Sequence, residues 1–558
     1  MTSSARSPVP AHAPAAPPAQ ATRGPVGQLA GAGELARLAI RRDRAMLVGW
    51  LYALTAISVS AGYLIKIVYK TTASRATVAA SVRTDPALAF VYGQLHGTSF
   101  GALASWRYLT YAALAAALMS IFLVVRHTRA DEETGRLELI GSTVVGRHVP
   151  LVVALLVALA ANLILLVLTT AVLAASGLSL AGSAAFGLAE ASCGVVFAGL
   201  AAIAAQISGT ARGARGLAIA VLGVSFLLRG IGDSGGSHGL TWMTWLAPIG
   251  WAELVRPFAG ERWWVLALPA AVMAVAVVTA FWLAGRRDQG AGLVQPRPGP
   301  ATASWLLTGP IGLAWRLQRG AVAGWTAGFV AGGLAIGVVG NGIGKLIGSG
   351  ATVHKVLSKI GGHAGLTSAY LAACMSLLGL VAAAYAVSAV LRMRSEETEQ
   401  RVEPLLAGPV GRLRWGSSHL LVALAGTVAV LLAGGFGVGL GFGAATSDVG
   451  TQLPRMLGAA LAQVPAALAV AAIGAVLVGL LPSASVTGGW TALAICGFIG
   501  VFGPALNLSQ SVLDIAPFTH VPKLPGGTFS AVPLIWLSAA ALGMAAVGLA
   551  GMRRRDIG

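Results

Sequence analysis

Two dense charged islands interrupt the long apolar runs of this chain, and their residue types could form a docking surface. The first island reads Asp131-Glu-Glu-Thr-Gly-Arg-Leu-Glu and leads to Gly146-Arg147. The second reads Glu396-Glu-Thr-Glu-Gln-Arg-Val-Glu and leads to Gly411-Arg412. Closely spaced opposite charges set register and association between protein surfaces. A solvated loop whose charges only keep it out of the membrane is the alternative, but the same order of residue types occurring twice favours docking.

Helical register would place the acidic and basic side chains of each island near one face, because residues three and four apart are neighbours on a helix. We therefore expect each island to be a short helix parallel to the membrane. The predicted docking residues are Glu132, Glu133, Arg136, Glu138, Arg147, Glu396, Glu397, Arg401, Glu403 and Arg412.

The islands belong to an internal repeat with a period of about half the chain. Glu132 maps to Glu396 at an offset of 264 and Arg147 to Arg412 at an offset of 265, which predicts one inserted residue. Arg286-Arg-Asp near the end of the first half is echoed by Arg554-Arg-Asp at the end of the second. Repeats of this kind predict two copies of one structural unit.

Composition places the chain in the membrane class. Of its 558 residues 56% are hydrophobic and 10% charged, and the mean hydropathy is +0.78, whereas soluble proteins carry about 25% charged residues. The net charge of +19 does not indicate nucleic acid, because most arginines flank apolar runs, as orientation in a membrane requires. The three cysteines show no disulfide or metal-ligand spacing.

The apolar runs predict an all-α polytopic membrane protein with about twelve spans in two parallel-topology repeats of six. The domains expected are a disordered cytosolic tail (1–30), a first six-helix repeat (31–284), a cytosolic linker (285–319) and a second six-helix repeat (320–558). The spans are predicted at about 45–65, 104–126, 149–174, 183–207, 214–231, 264–284, 320–340, 367–391, 417–441, 455–481, 486–506 and 531–551.

Three segments outside the spans are also predicted to be helical. Residues 31–44 alternate apolar residues with arginine, which is typical of an amphipathic helix in the interface, although a simple flanking charge cluster would look similar. The segment 66–100 is expected to be partly helical. The tryptophan-rich stretch 240–264 favours short interfacial or re-entrant helices over an ordinary loop.

Arginine distribution predicts that both termini and both islands are cytosolic. The high alanine, glycine, arginine and valine content fits a GC-rich bacterial source, so the membrane is expected to be a bacterial plasma membrane. All six lysines fall on the other side, most of them in long segments where the charge rule is weak.

The pattern Glu-Glu-x-Gly-Arg-x-Glu-Leu between the second and third spans resembles the coupling loop of type-2 ABC exporter permeases. The whole of residues 30–556 is similar to the long fused-repeat members in actinobacteria that export polyketide antibiotics of the tetronasin-resistance type. This resemblance implies a separate ATP-binding subunit that binds ATP and magnesium, two copies of which dock on one permease. The second island departs from the pattern, with Glu399 at the position of Gly135, which implies unequal docking contacts.

The sequence contains no Gly-x-x-x-x-Gly-Lys-Ser/Thr loop, no metal-ligand spacing and no catalytic constellation, so we expect a transport subunit and not an enzyme, without cofactor or metal of its own. Glycine runs such as Gly434-Gly435 lie within a span and favour packing over phosphate binding. An ion-driven secondary transporter and a membrane enzyme acting on lipid-linked substrates are the alternatives. The apolar spans favour a hydrophobic or amphipathic substrate, such as a drug, a polyketide or a lipid.

A translocation pathway would need polar groups within the spans, where they are costly and usually functional. The residues that we single out are Glu190, Arg229 and Gln463. Glu190 and Arg229 lie in consecutive predicted spans, so we expect them to pair or Glu190 to line the cavity. The plainer alternative is that Arg229 extends to the interface and Glu190 is protonated.

Overall fold

The computed structural model describes residues 30–555, apart from 84–85, 142–144, 235–239, 289, 295–300, 303, 305–308, 348–364 and 503–507. The predicted tail and much of the linker lie outside the described residues. Within the described chain, regular structure is helical except for an isolated bridge between Ser208 and Val294. This confirms the all-α prediction.

Among the described residues of the first half there are twelve α-helices. They are α1 (Ala32–Val68), α2 (Thr72–Arg83), α3 (Pro86–Tyr92), α4 (Phe100–Val125), α5 (Asp131–Glu133), α6 (Arg136–Gly141), α7 (Val149–Ala175), α8 (Leu180–Ile207), α9 (Ala211–Ser234), α10 (Trp242–Leu246), α11 (Pro248–Leu254) and α12 (Ala267–Arg286). A π-helical turn, Arg126–Ala130, joins α4 to α5, and a 3₁₀ turn, Trp263–Leu266, precedes α12.

The second half contains a further nine α-helices within its described residues. They are α13 (Pro310–Ile347), α14 (Leu366–Thr398), α15 (Glu403–Leu406), α16 (Arg412–Thr446), α17 (Val449–Leu461), α18 (Val464–Leu480), α19 (Ser485–Phe502), α20 (Gln510–Leu513) and α21 (Val532–Arg554). A 3₁₀ turn, Pro517–Thr519, follows α20.

Eleven helices of the described chain are long and apolar enough to cross a membrane, and the twelfth predicted span corresponds to a shorter apolar helix, Ser485–Gly500. The segments predicted at 66–100 and 240–264 contain short helices, as expected. The lead-in 31–44 differs from its prediction, because it continues into the first span as the single helix α1. Its leucine and arginine residues are compatible with helix throughout, and no glycine or proline separates the lead-in from the span.

Local sequence signals set several helix ends. The Ser179 hydroxyl accepts a hydrogen bond from the Gly182 N–H at the start of α8, and the Asp448 carboxylate accepts one from the Thr451 N–H at the start of α17. Pro150 lies in the first turn of α7, where its missing N–H costs nothing. These signals mark where α7, α8 and α17 begin.

The chain forms two compact units. The first consists of the described parts of Met1–Val59, Leu109–Phe226 and Pro248–Pro296, and the second of the described parts of Ser60–Tyr108, Leu227–Ala247 and Arg297–Gly558. In the first unit, α1, α4 and α7 share an apolar core around Leu54, Leu123 and Leu165.

The second unit is centred on α13, α14, α16 and α18. Glycines let α13 and α16 approach closely: a Cβ on Gly437 would lie 2.5 Å from the Val330 carbonyl, and one on Gly333 would lie 2.5 Å from the Gly434 carbonyl. The glycine runs of this span therefore serve helix packing, as predicted.

Candidate functional site: two charged islands

The first island is a broken helix and not the single short helix that we predicted. The helix of the second span continues through the π-helical turn into Asp131–Glu133, stops, and restarts at Arg136. The break falls at Gly135, whose φ is +72°. This left-handed conformation ends helices and is available to glycine without steric cost.

The second island breaks in the same way. Helix α14 ends at Thr398, and the short helix α15 begins at Glu403. Between them Gln400 has a φ of +55°. Gln400 therefore occupies the position of Gly135 at an offset of 265, although glutamine is a poor match to the left-handed region.

The prediction that one inserted residue separates the two copies of the island is wrong. Arg136 donates to Asp131 at 3.2 Å, and Arg401 donates to Glu396 at 3.3 Å. The positive φ angles and these matching bonds align the islands at a uniform offset of 265, so Asp131, and not Glu132, corresponds to Glu396. The Glu-Glu-Thr sequence shared by both islands had favoured the alignment of Glu132 with Glu396.

Glu132 is bound within the protein by two arginines. Its carboxylate accepts hydrogen bonds from Arg129 at 2.9 Å, from Arg287 at 2.6 and 3.0 Å, and from the Gly290 N–H at 2.6 Å. The side chain is only 7% exposed. Charge-assisted bonds of this kind are the strong ones, so Glu132 fastens the first island to the chain that follows α12.

Glu397 has the equivalent arrangement in the second island. Its carboxylate binds Arg394 at 3.1 Å and also binds Arg555, which follows α21. The side chain is 4% exposed. Each island is thus joined by a buried glutamate to an arginine just beyond the last helix of its half.

A second contact reinforces each of these joints. Arg147 donates to the carbonyls of Ala284 and Arg287, at 3.1 and 2.7 Å. Arg412 donates to the Arg555 carbonyl at 2.7 Å. A cation at a helix C-terminus satisfies carbonyls that lack partners in the helix. We call the combination of glutamate and arginine contacts in each half the terminal clamp: Glu132, Arg147 and Arg287 in the first, and Glu397, Arg412 and Arg555 in the second.

The remaining island acids differ between the halves. Asp131 accepts from Arg42 of α1 at 2.7 Å, whereas Glu396 pairs with Arg392 of its own helix at 2.6 Å. Next to Arg42, the buried Asp43 lies 2.8 Å from Arg126 and 2.9 Å from His127. The first island is therefore held to the lead-in part of α1 by ion pairs.

The corresponding lead-in of the second half carries no such pairs. Gly324-Trp325 aligns with Gly49-Trp50, which places Leu317 and Gln318 at the positions of Arg42 and Asp43. Gln318 is buried and lies 3.4 Å from the ring of His419. A neutral polar contact thus replaces a charged network.

Exposed charges form the outer rim of both islands. Arg136 is 54% exposed and Arg401 is 48% exposed, and Glu133, Glu138 and Glu403 are exposed as well. One oxygen of Glu133 accepts from the Ala211 N–H at 3.0 Å and so caps the start of α9. The predicted docking residues therefore differ in setting: Glu132, Glu397, Arg147 and Arg412 belong to the clamps, Glu396 is buried in an ion pair, and the other five form the exposed rim.

A cavity of about 700 Å³ opens beside the first island. Its walls come from the island, the start of α7 and the ends of α8 and α12. Burial and the neighbouring Arg147 both lower the pKa of His148 in this wall, which keeps its imidazole neutral at neutral pH. The charged residues that line the cavity are Glu132, Glu138, Arg147, Arg287 and Asp288. The lining therefore combines three acids with two arginines.

Comparison with known proteins identifies the family. The chain is 42% identical over 527 residues to the "Multidrug efflux system permease protein Rv1217c" of Mycobacterium tuberculosis, an alignment that spans 94% of each protein. The family model described as "Multidrug efflux system permease Rv1217c, C-terminal domain" matches residues 307–553. The chain belongs to the family of multidrug efflux permeases.

As a member of this family, the chain is a multi-pass membrane protein and a transport subunit, in agreement with the sequence-based expectation. Among the residues that the structure describes, no group of three His, Cys, Asp or Glu side chains could hold a metal ion.

Two of the three polar residues singled out within the spans of the permease make polar contacts, and the third lies at a helix break. Glu190 is fully buried in α8 and accepts from the Thr169 hydroxyl at 2.9 Å, while its second oxygen has no hydrogen-bond partner. Arg229 pairs with Asp233 at 3.6 Å and donates to the Val91 carbonyl. Each of these two residues thus has a polar partner within its own unit, and their pairing stays a prediction. Gln463 is buried at the break between α17 and α18.

Sequence reasoning missed the arginines that complete the clamps. Arg287 and Arg555 lie more than a hundred residues from the glutamates that they bind. Their only signal is the repeated Arg-Arg-Asp after the sixth span of each half, which indicates the internal repeat but not a contact with the islands. The role of Asp43 was also missed, because it lies among the arginines of the lead-in and no pattern marks it as a buried ion-pair partner.

Proposed function

We propose that this permease is the membrane subunit of an ATP-driven exporter and that its two islands dock two copies of a separate ATP-binding subunit. The substrate is a hydrophobic or amphipathic compound such as an antibiotic. The islands and both termini lie in the cytosol, where ATP is available. ATP and magnesium bind the partner, since this chain has no phosphate-binding loop of the Gly-x-x-x-x-Gly-Lys-Ser/Thr type.

The observation that carries this proposal is that the terminal clamp occurs twice, at matching positions, with an exposed charged rim beside it. A buried glutamate holds each island rigidly to the end of its half. A force applied to the rim would therefore reach the last helix of that half and not be lost in a mobile loop. Two such surfaces suit a partner that is itself present in two copies.

Charge reversal at the rim tests the proposal. The double variant Glu138→Lys and Glu403→Lys should fold normally, because both side chains are exposed. We expect its affinity for the purified ATP-binding subunit to fall by about tenfold or more, and by less at high salt, because like charges at an interface oppose association. Drug-stimulated ATP hydrolysis should fall in parallel.

Glu34→Lys is the matched control, since Glu34 is also an exposed acid but lies in the lead-in of α1, outside both islands. It should leave affinity and ATP hydrolysis unchanged. Unaltered ATP-binding-subunit affinity in the double variant would remove the islands from the docking surface.

We also propose that Glu190, Arg229 and Gln463 belong to the translocation pathway. Glu190 is buried within an apolar helix and Gln463 at the break between two, and each has a side-chain oxygen without a hydrogen-bond partner. Such groups are costly in an apolar interior, so a transient role with substrate explains their presence better than packing does. Glu190→Gln should alter drug export while leaving ATP-binding-subunit affinity intact, and export identical to that of the unmodified protein would exclude Glu190.

A further inference from the structure

Arg107, early in α4, has no acidic partner in the described part of the chain. Its guanidinium stacks on the ring of Tyr92, 4.3 Å from the ring centroid. The Nη1 atom is buried and makes no hydrogen bond to a described residue. An uncompensated cation in a membrane span is costly and is retained where it serves a function.

Two tyrosines surround this guanidinium. Tyr69 and Tyr108 both lie within electrostatic range of Arg107, and all three side chains are partly exposed. Burial raises the pKa of Tyr69, and Arg107 only partly opposes this rise. The Tyr69 phenol is therefore protonated at neutral pH and can donate a hydrogen bond beside the arginine.

Aromatic packing holds the cluster in place. The Trp106 indole N–H donates to the Gly93 carbonyl at 2.9 Å, and the rings of Trp106 and Tyr92 are 5.1 Å apart. Tyr92 and Trp106 are both buried. The surface on which Arg107 stacks is thus rigid, which is what a binding site requires.

A nearby arginine in a similar stacked position donates hydrogen bonds within the protein. Arg75 also stacks on an aromatic ring, 4.1 Å from the Phe100 centroid, but it donates to the Thr98 carbonyl at 3.2 Å and to the Thr72 hydroxyl at 3.1 Å. At the 265-residue offset, Arg107 corresponds to the buried Ala372. The second half therefore packs here without a cation, and the fold does not need one.

We propose that Arg107, Tyr69 and Tyr108 bind the anionic head group, a carboxylate or a phosphate, of an amphipathic molecule whose apolar part lies in the membrane. A guanidinium matches the oxygens of such a group with paired donors. Tyrosine and tryptophan are enriched where the membrane meets water, at the depth of head groups. The molecule can be a transported compound or a membrane lipid, and the head-group chemistry is the same for both.

The test uses the purified full chain in phosphatidylcholine nanodiscs, without the ATP-binding subunit, so that its result does not depend on the proposed coupling. One arm titrates a fluorescent long-chain fatty acid and, separately, its methyl ester. The other arm measures retention of phosphatidylglycerol by native mass spectrometry. Arg107→Gln removes the cation, and Arg75→Gln is the matched control.

We expect the unmodified chain to bind the acid, the phosphatidylglycerol or both, with Arg107→Gln weakening that binding by about tenfold or more, as for a lost charge-assisted hydrogen bond. If Arg107→Gln weakens binding of the fatty acid, the ligand is a free amphiphile such as a transported compound. If it weakens retention of phosphatidylglycerol, the ligand is a membrane lipid. Arg75→Gln should change neither arm. Equal binding of both probes by Arg107→Gln and the unmodified chain would overturn the proposal, as would equal binding of acid and ester without any lipid effect.

If Arg107→Gln fails to fold, the double variant Tyr69→Phe and Tyr108→Phe keeps the Arg107–Tyr92 stack and removes only the two hydroxyls. It should weaken binding by about fivefold or more, the loss expected for a neutral hydrogen bond. Unchanged binding of both probes by this folded variant would then contradict the site.

Discussion

The two islands share one ionic arrangement and differ in another. Both use a buried glutamate and an arginine to hold the end of the last helix in their half. Only the first also binds its lead-in helix through charges, with Arg42 and Asp43, where the second half has Leu317 and Gln318. The shared arrangement would serve the docking that we propose for both islands, and the difference gives the first island additional ion pairs.

The largest effects should come from breaking the clamps. In Glu132→Gln and Glu397→Gln, arginines held by the lost carboxylate would be left without a counter-charge, at a cost of about 3 kcal/mol or more. Apparent melting temperature in detergent and the yield of folded protein measure the change. Because the clamps match, both variants should lose similar stability, whereas the exposed Glu138→Gln should lose little. A loss confined to one half would show that the clamps are not equivalent.

A smaller, one-sided effect should follow from exchanging the lead-in residues. Asp43→Gln gives the first half the residue of the second and leaves Arg126 and His127 beside a neutral side chain. We expect a loss of about 2 kcal/mol, since a buried charged network is broken. Gln318→Ala should cost about 1 kcal/mol, because only a neutral contact is lost. Equal losses, read from the same melting measurement, would contradict the asymmetry.

The amino-acid pattern alone was enough to predict the spans and the existence of the islands, because a membrane demands long apolar runs and excludes charge from them. It could not predict the clamps, since Arg287 and Arg555 are distant in sequence and arginine after a span is usually explained by topology. The break at Gln400 was also invisible, because glutamine gives no signal for a left-handed backbone. The error in alignment has the same cause, because the repeated Glu-Glu-Thr sequence pairs Glu132, and not Asp131, with Glu396.

The smallest effects should come from the backbone at the two breaks. Gly135→Gln places a side chain at positive φ and should cost about 1 kcal/mol. No heavy atom lies within 4 Å of the added Cβ, so this cost is one of backbone strain. Gln400→Gly should relieve the same strain and stabilise the second island slightly. The two melting temperatures should move in opposite directions, and a shift of both in one direction would show that the breaks have different conformational needs.

The central claim, that both islands dock the ATP-binding subunit, is tested most directly by thiol protection. Single cysteines replace Glu138 or Glu403, in a chain whose Cys193, Cys374 and Cys496 are changed to serine. Inside-out vesicles are labelled with a membrane-impermeant maleimide, with and without the ATP-binding subunit. Our account predicts that both cysteines are labelled in the free permease and that both are protected when the subunit is bound. Undiminished labelling at both positions would contradict docking at the islands, and protection at only one would contradict docking of two copies.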